Sequence, residues 1–183
     1  MGLVITISGL HGTGKSTYAK AISEEFNLRH MSAGALFRKI ALERGLSVEE
    51  LSHIAERNKD VDCLIDEKTK TEASKGNVIL DGLLAGWMAS DYADLKIYLK
   101  CPDDVRMRRI AERDRITYEK AGKTTTFRED AEKKRFKRLY NIEMDDLSIY
   151  DLIINTGLMS IESNIEVMRK FVQGYISGQG GKM

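Results

Sequence analysis

Short β-branched runs alternate with segments of helical periodicity along the chain. The pattern predicts strands at residues 3–8, 29–31, 77–80, 95–99 and 152–154. It predicts helices over residues 15–26, 33–44, 48–58 and 61–74, from Pro102 onward, and over 127–144 and 161–176. Ser47, with Glu50 three residues later, should cap the third of these helices.

This alternation predicts an α/β fold in which five parallel strands carry helices on both faces. Residues 116–126 lose the helical period and contain Gly122 and several threonines, so we expect a loop there. Residues 178–183 should be disordered. Because the chain has 183 residues, no internal repeat and no low-complexity linker, residues 1–183 are predicted to form one domain.

Charge and cysteine content narrow the class of protein. The 29 basic and 28 acidic residues leave a net charge of +1, which gives no general attraction to nucleic acid or to membranes. Cys63 and Cys101 lack metal-ligand neighbours, so both should be ordinary core residues in a reducing cytoplasm. The first nine residues suggest a strand rather than a signal peptide, and no apolar stretch approaches the ~20 residues that span a bilayer. We therefore expect a cytoplasmic monomer without nucleic-acid or membrane partners.

A complete phosphate-binding motif, G-x-x-x-x-G-K-[ST], joins the first predicted strand to the first predicted helix. The predicted ATP site comprises Gly9, Leu10, His11, Gly12, Thr13, Gly14, Lys15, Ser16 and Thr17. Glycines let backbone N–H groups surround the phosphates, and the helix N-terminus adds positive charge. Lys15 should reach the β- and γ-phosphates, and Ser16 should coordinate Mg²⁺. His11 is either a catalytic base or a residue that only shapes the loop.

Further charged residues are placed for phosphate chemistry. Asp81 ends the third strand, where an acid would hold Mg²⁺ or its waters, or would cap the next segment. Arginines bracket the predicted loop: Arg106, Arg108, Arg109, Arg113 and Arg115 precede it, and Arg128, Arg135 and Arg138 follow it. Such arginines often form only surface ion pairs. A loop that closes over ATP needs them, however, because the transition state of phosphoryl transfer spreads negative charge.

Two other classes of P-loop protein fit less well. A regulatory GTPase needs an N-K-x-D motif after a late strand, but Asn58-Lys59-Asp60 is one residue short and lies early in the chain. It also needs a D-x-x-G switch, whereas Gly82 follows Asp81 directly. A motor or DNA-dependent ATPase would be longer and would carry an extended basic surface.

Several motifs together resemble the nucleoside monophosphate kinases. Besides the phosphate loop these are S-A-G-x-x-F-R at 32–38, Asp81-Gly82, R-I-A-E-R at 109–113, F-R-E-D at 127–130 and I-I-N-T-G-L at 153–158. The sequence is most similar to archaeal-type cytidylate kinases, especially in L-A-G-W at 84–87 and D-L-S-I-Y-D-L-I-I-N-T-G-L at 146–158. The resemblance covers residues 4 to about 170.

The resemblance implies a P-loop kinase with a core (1–31, 76–113 and 127–178), a monophosphate-binding segment (about 32–75) and a lid (about 114–126). It implies catalytic cations at Lys15, Arg109, Arg113, Arg128 and Arg135, of which Arg109 and Arg113 would lie at the lid base. Ser32, Gly34 and Arg38 would bind the acceptor monophosphate, and Asn155 would border the adenine of ATP.

One departure and the choice of base remain open. Many relatives carry an arginine where this chain has Leu83-Leu84, so Arg38 and the lid arginines, or Arg57, must hold the acceptor phosphate. Asp62 and Asp66 share a helical face, and either could accept a hydrogen bond from the cytosine amine or simply be solvated. Trp87 would wall the base pocket or belong to the core.

The sequence as a whole predicts Mg²⁺-dependent transfer of the γ-phosphoryl group of ATP to CMP or dCMP. Adenylate kinase, another small-metabolite P-loop kinase, and a nucleotide-dependent switch or assembly factor are the alternatives.

Overall fold

A computed structural model describes residues 2–180, and within them five strands alternate with eight helices. The strands are β1 (Val4–Gly9), β2 (Arg29–Ser32), β3 (Val78–Asp81), β4 (Leu95–Lys100) and β5 (Leu152–Asn155). The helices are α1 (Lys15–Glu25), α2 (Ala33–Glu43), α3 (Val48–Arg57), α4 (Asp60–Ser74), α5 (Ala85–Met88), α6 (Asp103–Asp114), α7 (Tyr118–Tyr140) and α8 (Ile161–Gly180).

The sheet is parallel throughout, and its strand order is β2-β3-β1-β4-β5. The central strand β1 pairs with β3 on one side and with β4 on the other, so that Ile7 lies opposite both Asp81 and Ile97. The end of β1 and the end of β3 therefore meet at the same edge of the sheet. In open α/β sheets this carboxyl edge is where ligands bind.

Both faces of the sheet are buried. On one face, residues of β1 and β4 pack against α1 and α8; the contacts include Ile5, Ile7, Ile97 and Leu99 with Tyr18, Ile22, Met168 and Val172. On the other face, Val4, Val78 and Leu80 pack against Ala73, Ala85 and Ala89. Full burial of each large apolar side chain stabilises the fold by about 1.5–3 kcal/mol, and the predicted two-faced sheet is confirmed.

Helices α2, α3 and α4 share a smaller core of their own, formed by Phe37, Ile40, Ala41, Leu51, Val61 and Ile65. The predicted capping box at the start of α3 is present, because Ser47 and Glu50 each accept a hydrogen bond from the other's backbone N–H. These helices fall within residues 32–75, the segment that the resemblance implies for monophosphate binding.

The predicted loop at 116–126 is wrong. Helix α7 begins at Tyr118, where the hydroxyl of Thr117 caps it by accepting from the backbone N–H of Lys120, 3.2 Å away. It continues through Gly122 because Ala121 is buried against Met107 and Ile110 of α6. Tertiary packing here outweighs the weak helix propensity of glycine and threonine. The helix ends at Tyr140 rather than at 144, since Asn141 adopts a left-handed conformation.

Two smaller expectations also need correction, and one helix was not predicted. Helix α8 continues to Gly180, so residues 178–180 are helical rather than disordered, and 181–183 lie outside the described residues. Cys63 and Cys101 are free thiols that are half-buried rather than in the core. The short helix α5 was not predicted. Across residues 2–180, every helix is too short or too polar to cross a bilayer.

Candidate active site

A cavity of about 700 Å³ opens at the carboxyl edge of the sheet. Its walls come from the phosphate loop, the end of β3, and helices α2, α4, α6 and α7. Cavities of this size hold small-molecule ligands. The cavity brings together, from most of the chain, the predicted residues His11, Gly12, Gly14, Lys15, Ser16, Thr17, Gly34, Arg38, Asp62, Asp66, Asp81, Arg109, Arg113, Arg128 and Arg135.

The phosphate loop has the backbone that its glycines were expected to allow. Gly12 has a φ of +78° and Gly14 a φ of +91°, both in the left-handed region that disfavours side chains. A Cβ at residue 12 would also lie 2.7 Å from the backbone oxygen of Arg106. Thr13 braces the loop, since its hydroxyl donates to the carbonyl of Leu10 over 2.8 Å. The loop is therefore packed directly against α6 and has no room for a side chain at Gly12.

Lys15 lies at the start of α1 and faces both the loop and the cavity. Its ammonium donates to the carbonyls of Gly9 and Leu10 over 2.8 and 2.9 Å. Burial lowers the pKa of Lys15 to about 8, although Asp81 and Glu132 oppose the shift. At neutral pH the side chain is therefore mostly charged and can bind a phosphate.

Asp81 is buried at the end of β3 among hydrogen-bond donors. Its Oδ1 accepts from the hydroxyls of Ser16 and Ser32 over 3.0 and 3.1 Å, and its Oδ2 lies 2.7 Å from Nε2 of His30. Helix α5 begins after Leu84 without a side-chain cap, so the alternative that Asp81 caps the next segment is wrong. No sequence motif indicated His30 as a partner of Asp81.

Oxygen donors of this kind suit Mg²⁺. A carboxylate and a serine hydroxyl 3.0 Å apart, beside the phosphate loop, are hard ligands that leave most of the coordination sphere to phosphate and water. Within residues 2–180 no cluster of three or more histidine, cysteine or acidic side chains forms a metal cage. The residues present thus fit a magnesium ion that is held mainly through its nucleotide.

Besides Arg135, four arginines line the cavity, and they differ in how firmly they are held. Arg109 is fixed, because it donates to the hydroxyl and the carbonyl of Thr156 over 3.2 and 3.0 Å. Arg113 pairs with the neighbouring Asp114 at 2.7 Å. Arg128 lies over the ring of Phe37, 5.0 Å from its centre. The phenyl ring gives that guanidinium a cation–π contact.

Arg38 differs from the other three. Across residues 2–180 its guanidinium has no ion pair and no hydrogen bond, although it lines the cavity. Burial lowers the pKa of Arg38, and the nearby Arg113 and Arg128 lower it further. Three guanidinium groups therefore face one space without enough acidic partners, which favours an anion there. The leucines at 83 and 84 line the same cavity.

At the far end of the cavity, α4 and α7 are joined by buried polar contacts. Nε of Arg135 lies 2.7 Å from Oδ2 of Asp62, and its Nη2 donates to Oδ1 over 3.2 Å. Both side chains are nearly fully buried, at 4% and 6% exposure. Nη1 of Arg135 is buried and has no hydrogen-bond partner within the described part of the chain. Asp62 is thus neither solvated nor free to bind a base.

Asp66 lies one helical turn beyond Asp62 and has a different environment. Its carboxylate accepts a short hydrogen bond from the hydroxyl of Tyr140. Burial raises the pKa of Asp66 to about 6, although the Tyr140 contact opposes the shift. One oxygen of Asp66 therefore remains available to the cavity.

Some predicted residues lie outside the cavity. Trp87 packs, half-buried, with Leu84, Phe136 and Ile142 rather than walling the pocket. Asn155 ends β5, where its side chain accepts from the backbone N–H of Gly157 over 3.1 Å. Arg57 lies in a separate surface recess, so it is not a substitute for the missing arginine. Ser32 contacts the site through Asp81 and through Ser16 of the phosphate loop, and Gly9, Leu10 and Thr13 shape the loop from behind.

The sequence analysis missed the acidic side chains that support the loop. Glu129 and Glu132 of α7 contact His11, and Arg106 of α6 contacts both His11 and Glu129. The three-residue spacing of the two glutamates places them on one helical face. That spacing was the available signal, although it is equally typical of acids that form surface ion pairs with neighbouring arginines.

The comparison with known proteins decides the family. Residues 4–158 match the cytidylate kinase-like family. The chain belongs to this family. It is 49% identical over 174 residues to the cytidylate kinase of Staphylothermus marinus, a match that covers 95% of this chain and 98% of that protein. It is 45% identical over 169 residues to the cytidylate kinase of Methanocaldococcus jannaschii, covering 91% and 95%.

Solved structures support the fold of this cytidylate kinase-like protein. Shikimate kinase from Bacteroides thetaiotaomicron superposes with a TM-score of 0.65 at 18% identity, covering 93% of this chain and 98% of that one. Shikimate kinase from Aquifex aeolicus gives 0.59 at 15% identity, covering 96% and 99%. The predicted P-loop kinase fold and the predicted family are confirmed.

Proposed function

We propose that this protein transfers the γ-phosphoryl group of ATP to CMP or dCMP, which yields ADP and CDP or dCDP. The observation that carries the proposal is a single cavity that is lined by the phosphate loop, by the unpaired guanidinium of Arg38 and by the carboxylate of Asp66. Such a cavity suits two phosphate-bearing ligands. The names of the curated relatives, cytidylate kinases, favour a cytidine monophosphate as the acceptor.

At the donor end, the backbone of residues 9–14 and the ammonium of Lys15 would hold the β- and γ-phosphates of ATP. Ser16 and Asp81 would hold Mg²⁺ or its waters, since their oxygens lie 3.0 Å apart at the loop. When bound, the ion would neutralise charge on the β- and γ-phosphate oxygens. Thr17 and Asn155 would complete the surroundings of ATP.

Between the two ends, the arginines would stabilise the transition state. Arg38 would bind the acceptor phosphate together with Gly34 and Ser32 of the α2 start, in place of an arginine at Leu83. Arg109, Arg113, Arg128 and Arg135 would surround the transferred group. No nucleophilic side chain is needed, because phosphoryl transfer is catalysed by positioning and charge.

At the acceptor end, Asp66 would identify the base. A carboxylate accepts a hydrogen bond from the exocyclic amine of cytosine, whereas uracil offers a carbonyl oxygen at that position. A mismatched buried polar pair discriminates strongly between substrates. Asp62 would act indirectly, by holding Arg135.

The division into a core, a monophosphate-binding segment (32–75) and a lid (114–126) belongs to the same proposal. Because α7 begins at Tyr118, the lid would comprise the short connection at 115–117 and the first turns of α7 rather than a free loop. Its closure would bring Arg113 toward the phosphates and exclude water. We expect a cytoplasmic enzyme that acts as a monomer on small molecules alone.

One assay tests the proposal. The protein is incubated with ATP and Mg²⁺ and with CMP, dCMP, UMP or AMP in turn, and ADP and the new diphosphate are measured. We expect ADP release to depend on the acceptor and to be fastest with CMP or dCMP. Fastest release with AMP would indicate adenylate kinase. Equal release with and without an acceptor would indicate a nucleotide-dependent switch and contradict the proposal.

A further inference from the structure

His11, in the middle of the phosphate loop, is held by two distant helices. Its backbone N–H donates to Oε1 of Glu129 on α7 over 3.0 Å. Its carbonyl accepts from Nη1 of Arg106 on α6 over 2.7 Å. Its ring Nε2 lies 2.8 Å from Oε2 of Glu132 on α7. The loop that would carry the phosphates is thus attached to α7 through both the backbone and the side chain of one residue.

Glu132 makes a second contact with its other oxygen. Oε1 accepts from Nε of Arg128, 2.8 Å away and one turn earlier on α7. The side chain of Glu132 is only 6% exposed. A buried carboxylate is strongly destabilising unless it is paired and hydrogen-bonded. Both carboxylate oxygens of Glu132 therefore have partners, one in His11 of the phosphate loop and one in Arg128.

The charge states of this cluster follow from its surroundings. Burial would raise the pKa of Glu132, but the charges of Arg128 and Arg135 and the hydrogen bond from His11 lower it to about 2, so the carboxylate is ionised at neutral pH. Burial lowers the pKa of His11 despite the pull of Glu132, so the ring is neutral there. Because a carboxylate can only accept, the proton of the neutral ring lies on Nε2. Nε2 of His11 therefore cannot act as a general base.

We propose that Glu132 is a positioning residue, whose carboxylate bridges His11 and Arg128 and so fixes the guanidinium of Arg128 relative to the phosphate loop. The bond through Nε leaves both terminal nitrogens of Arg128 available to a phosphate. The ring of Phe37 on α2 holds the same guanidinium from another side. This inference rests on the proposed function, since the bridge would serve to align Arg128 with the phosphates of ATP.

The test begins with Glu132→Gln, which keeps the size of the side chain and removes its charge. We expect kcat with CMP to fall by about 10- to 100-fold, because a displacement of about 1 Å in such a site costs up to ~10²-fold. The KM values for ATP and CMP should change by less than about threefold, since ground-state binding does not depend on the bridge. A purely structural role would lower the melting temperature and leave kcat per folded molecule unchanged.

Asp130→Asn provides the matched control. Asp130 lies on the same helix, two residues away, but it is exposed. The variant removes the same charge, so its kcat should stay within about twofold of wild type. A comparable loss in both variants would show that net charge, rather than the bridge, is responsible.

A double variant tests whether Glu132 acts through Arg128. In the background of Arg128→Ala, adding Glu132→Gln should change kcat by less than about twofold, because the group to be positioned is gone. The inference would be overturned if the loss of kcat in the double variant equalled the product of the losses in the two single variants.

The histidine side offers a rescue experiment that does not depend on variants of Glu132. His11→Ala should lower kcat, and His11→Gln, whose amide can still donate to the carboxylate, should restore most of it. Equal activity of His11→Ala and wild type would also overturn the inference. Failure of wild-type protein to phosphorylate CMP would instead contradict the proposed function, and the inference with it.

Discussion

The two ends of the cavity are built in different ways. At the donor end, Lys15 contacts Gly9 and Leu10, which are only six and five residues away, and the binding groups are mostly backbone. At the acceptor end, Arg135 contacts Asp62 across 73 residues and Tyr140 contacts Asp66 across 74. The phosphate-binding groups of the donor end therefore come from one local motif, although α6 and α7 also hold the loop at His11. The acceptor end exists only after α4 and α7 have packed together.

The difference extends to energetics. Backbone N–H groups and a helix N-terminus carry fixed partial charges that bind anions at little cost in desolvation. Buried ionised side chains must be desolvated, and each is stable only with its partner. We therefore expect substitutions at the donor end to affect mainly catalysis, and substitutions at the acceptor end to affect both stability and catalysis.

The largest effect is expected at the donor end, from Lys15→Ala. Loss of the cation that contacts the β- and γ-phosphates should lower kcat/KM with ATP and CMP by about 10³-fold or more. Circular dichroism and the melting temperature should stay close to wild type. Lys20→Ala, an exposed lysine on the same helix, is the control and should be fully active. Turnover near the wild-type rate in Lys15→Ala would exclude the assigned role.

Arg135→Ala tests the acceptor end. It leaves the carboxylate of Asp62 buried without its partner, which should lower the free energy of unfolding by about 3 kcal/mol or more. Below the melting transition, kcat should fall more than ATP binding weakens, as measured by initial rates and titration calorimetry. Arg138→Ala, an exposed arginine one turn later, should do neither. Unchanged stability in Arg135→Ala would mean that the buried pair contributes nothing.

A pH profile sharpens the comparison, because the pKa of Asp66 is raised to about 6 by burial. Below that pH the carboxyl is protonated and is a poorer acceptor for the cytosine amine. We expect kcat/KM for CMP to be highest between about pH 7 and 8 and to fall toward about tenfold per unit below pH ~6. Above about pH 8 it should fall again, because Lys15, with a pKa of about 8, loses its charge. Asp66→Asn should be slower with CMP, should lose this acidic limb and should discriminate less against UMP. An unchanged acidic limb in Asp66→Asn would assign the titration to another group.

The smallest effect is expected at Ser47, which forms a local cap at the start of α3. Ser47→Ala removes one half of the capping box at the start of α3 and should destabilise the protein by about 0.5–2 kcal/mol. Chemical denaturation measures this change. Steady-state rates should remain at the wild-type level, and a large loss of activity would show that the position of α3 is coupled to the site.

The same local-versus-distant contrast explains which features the sequence revealed. The strands, the phosphate loop and the cap at Ser47 are each determined by a few adjacent residues. All were predicted within a residue or two. The start of α7 was not, because Ala121 becomes buried only when α6 lies against it. Weak helix formers around Gly122 then remain helical through tertiary packing.

The site shows the limit more clearly. Residue type and spacing identified Asp62, Arg135 and Asp66 as candidates, but not that Arg135 would pair with Asp62 and leave Asp66 to Tyr140. Glu132 looked like one of several acids among surface arginines, whereas it is buried between His11 and Arg128. Trp87 is the opposite case: it was a candidate for the pocket wall, but it packs behind that wall. Pairings between distant elements do not follow from the motifs of either one.

The central claim is that ATP and CMP occupy the two ends of the cavity at the same time. A single inhibitor tests this claim. A dinucleotide in which adenosine and cytidine are joined through five phosphates should occupy the donor and acceptor ends of one cavity together. Steady-state kinetics should then show competition against ATP and against CMP, with one molecule bound per chain by calorimetry. Competition against ATP alone, with unchanged affinity for CMP, would contradict the account.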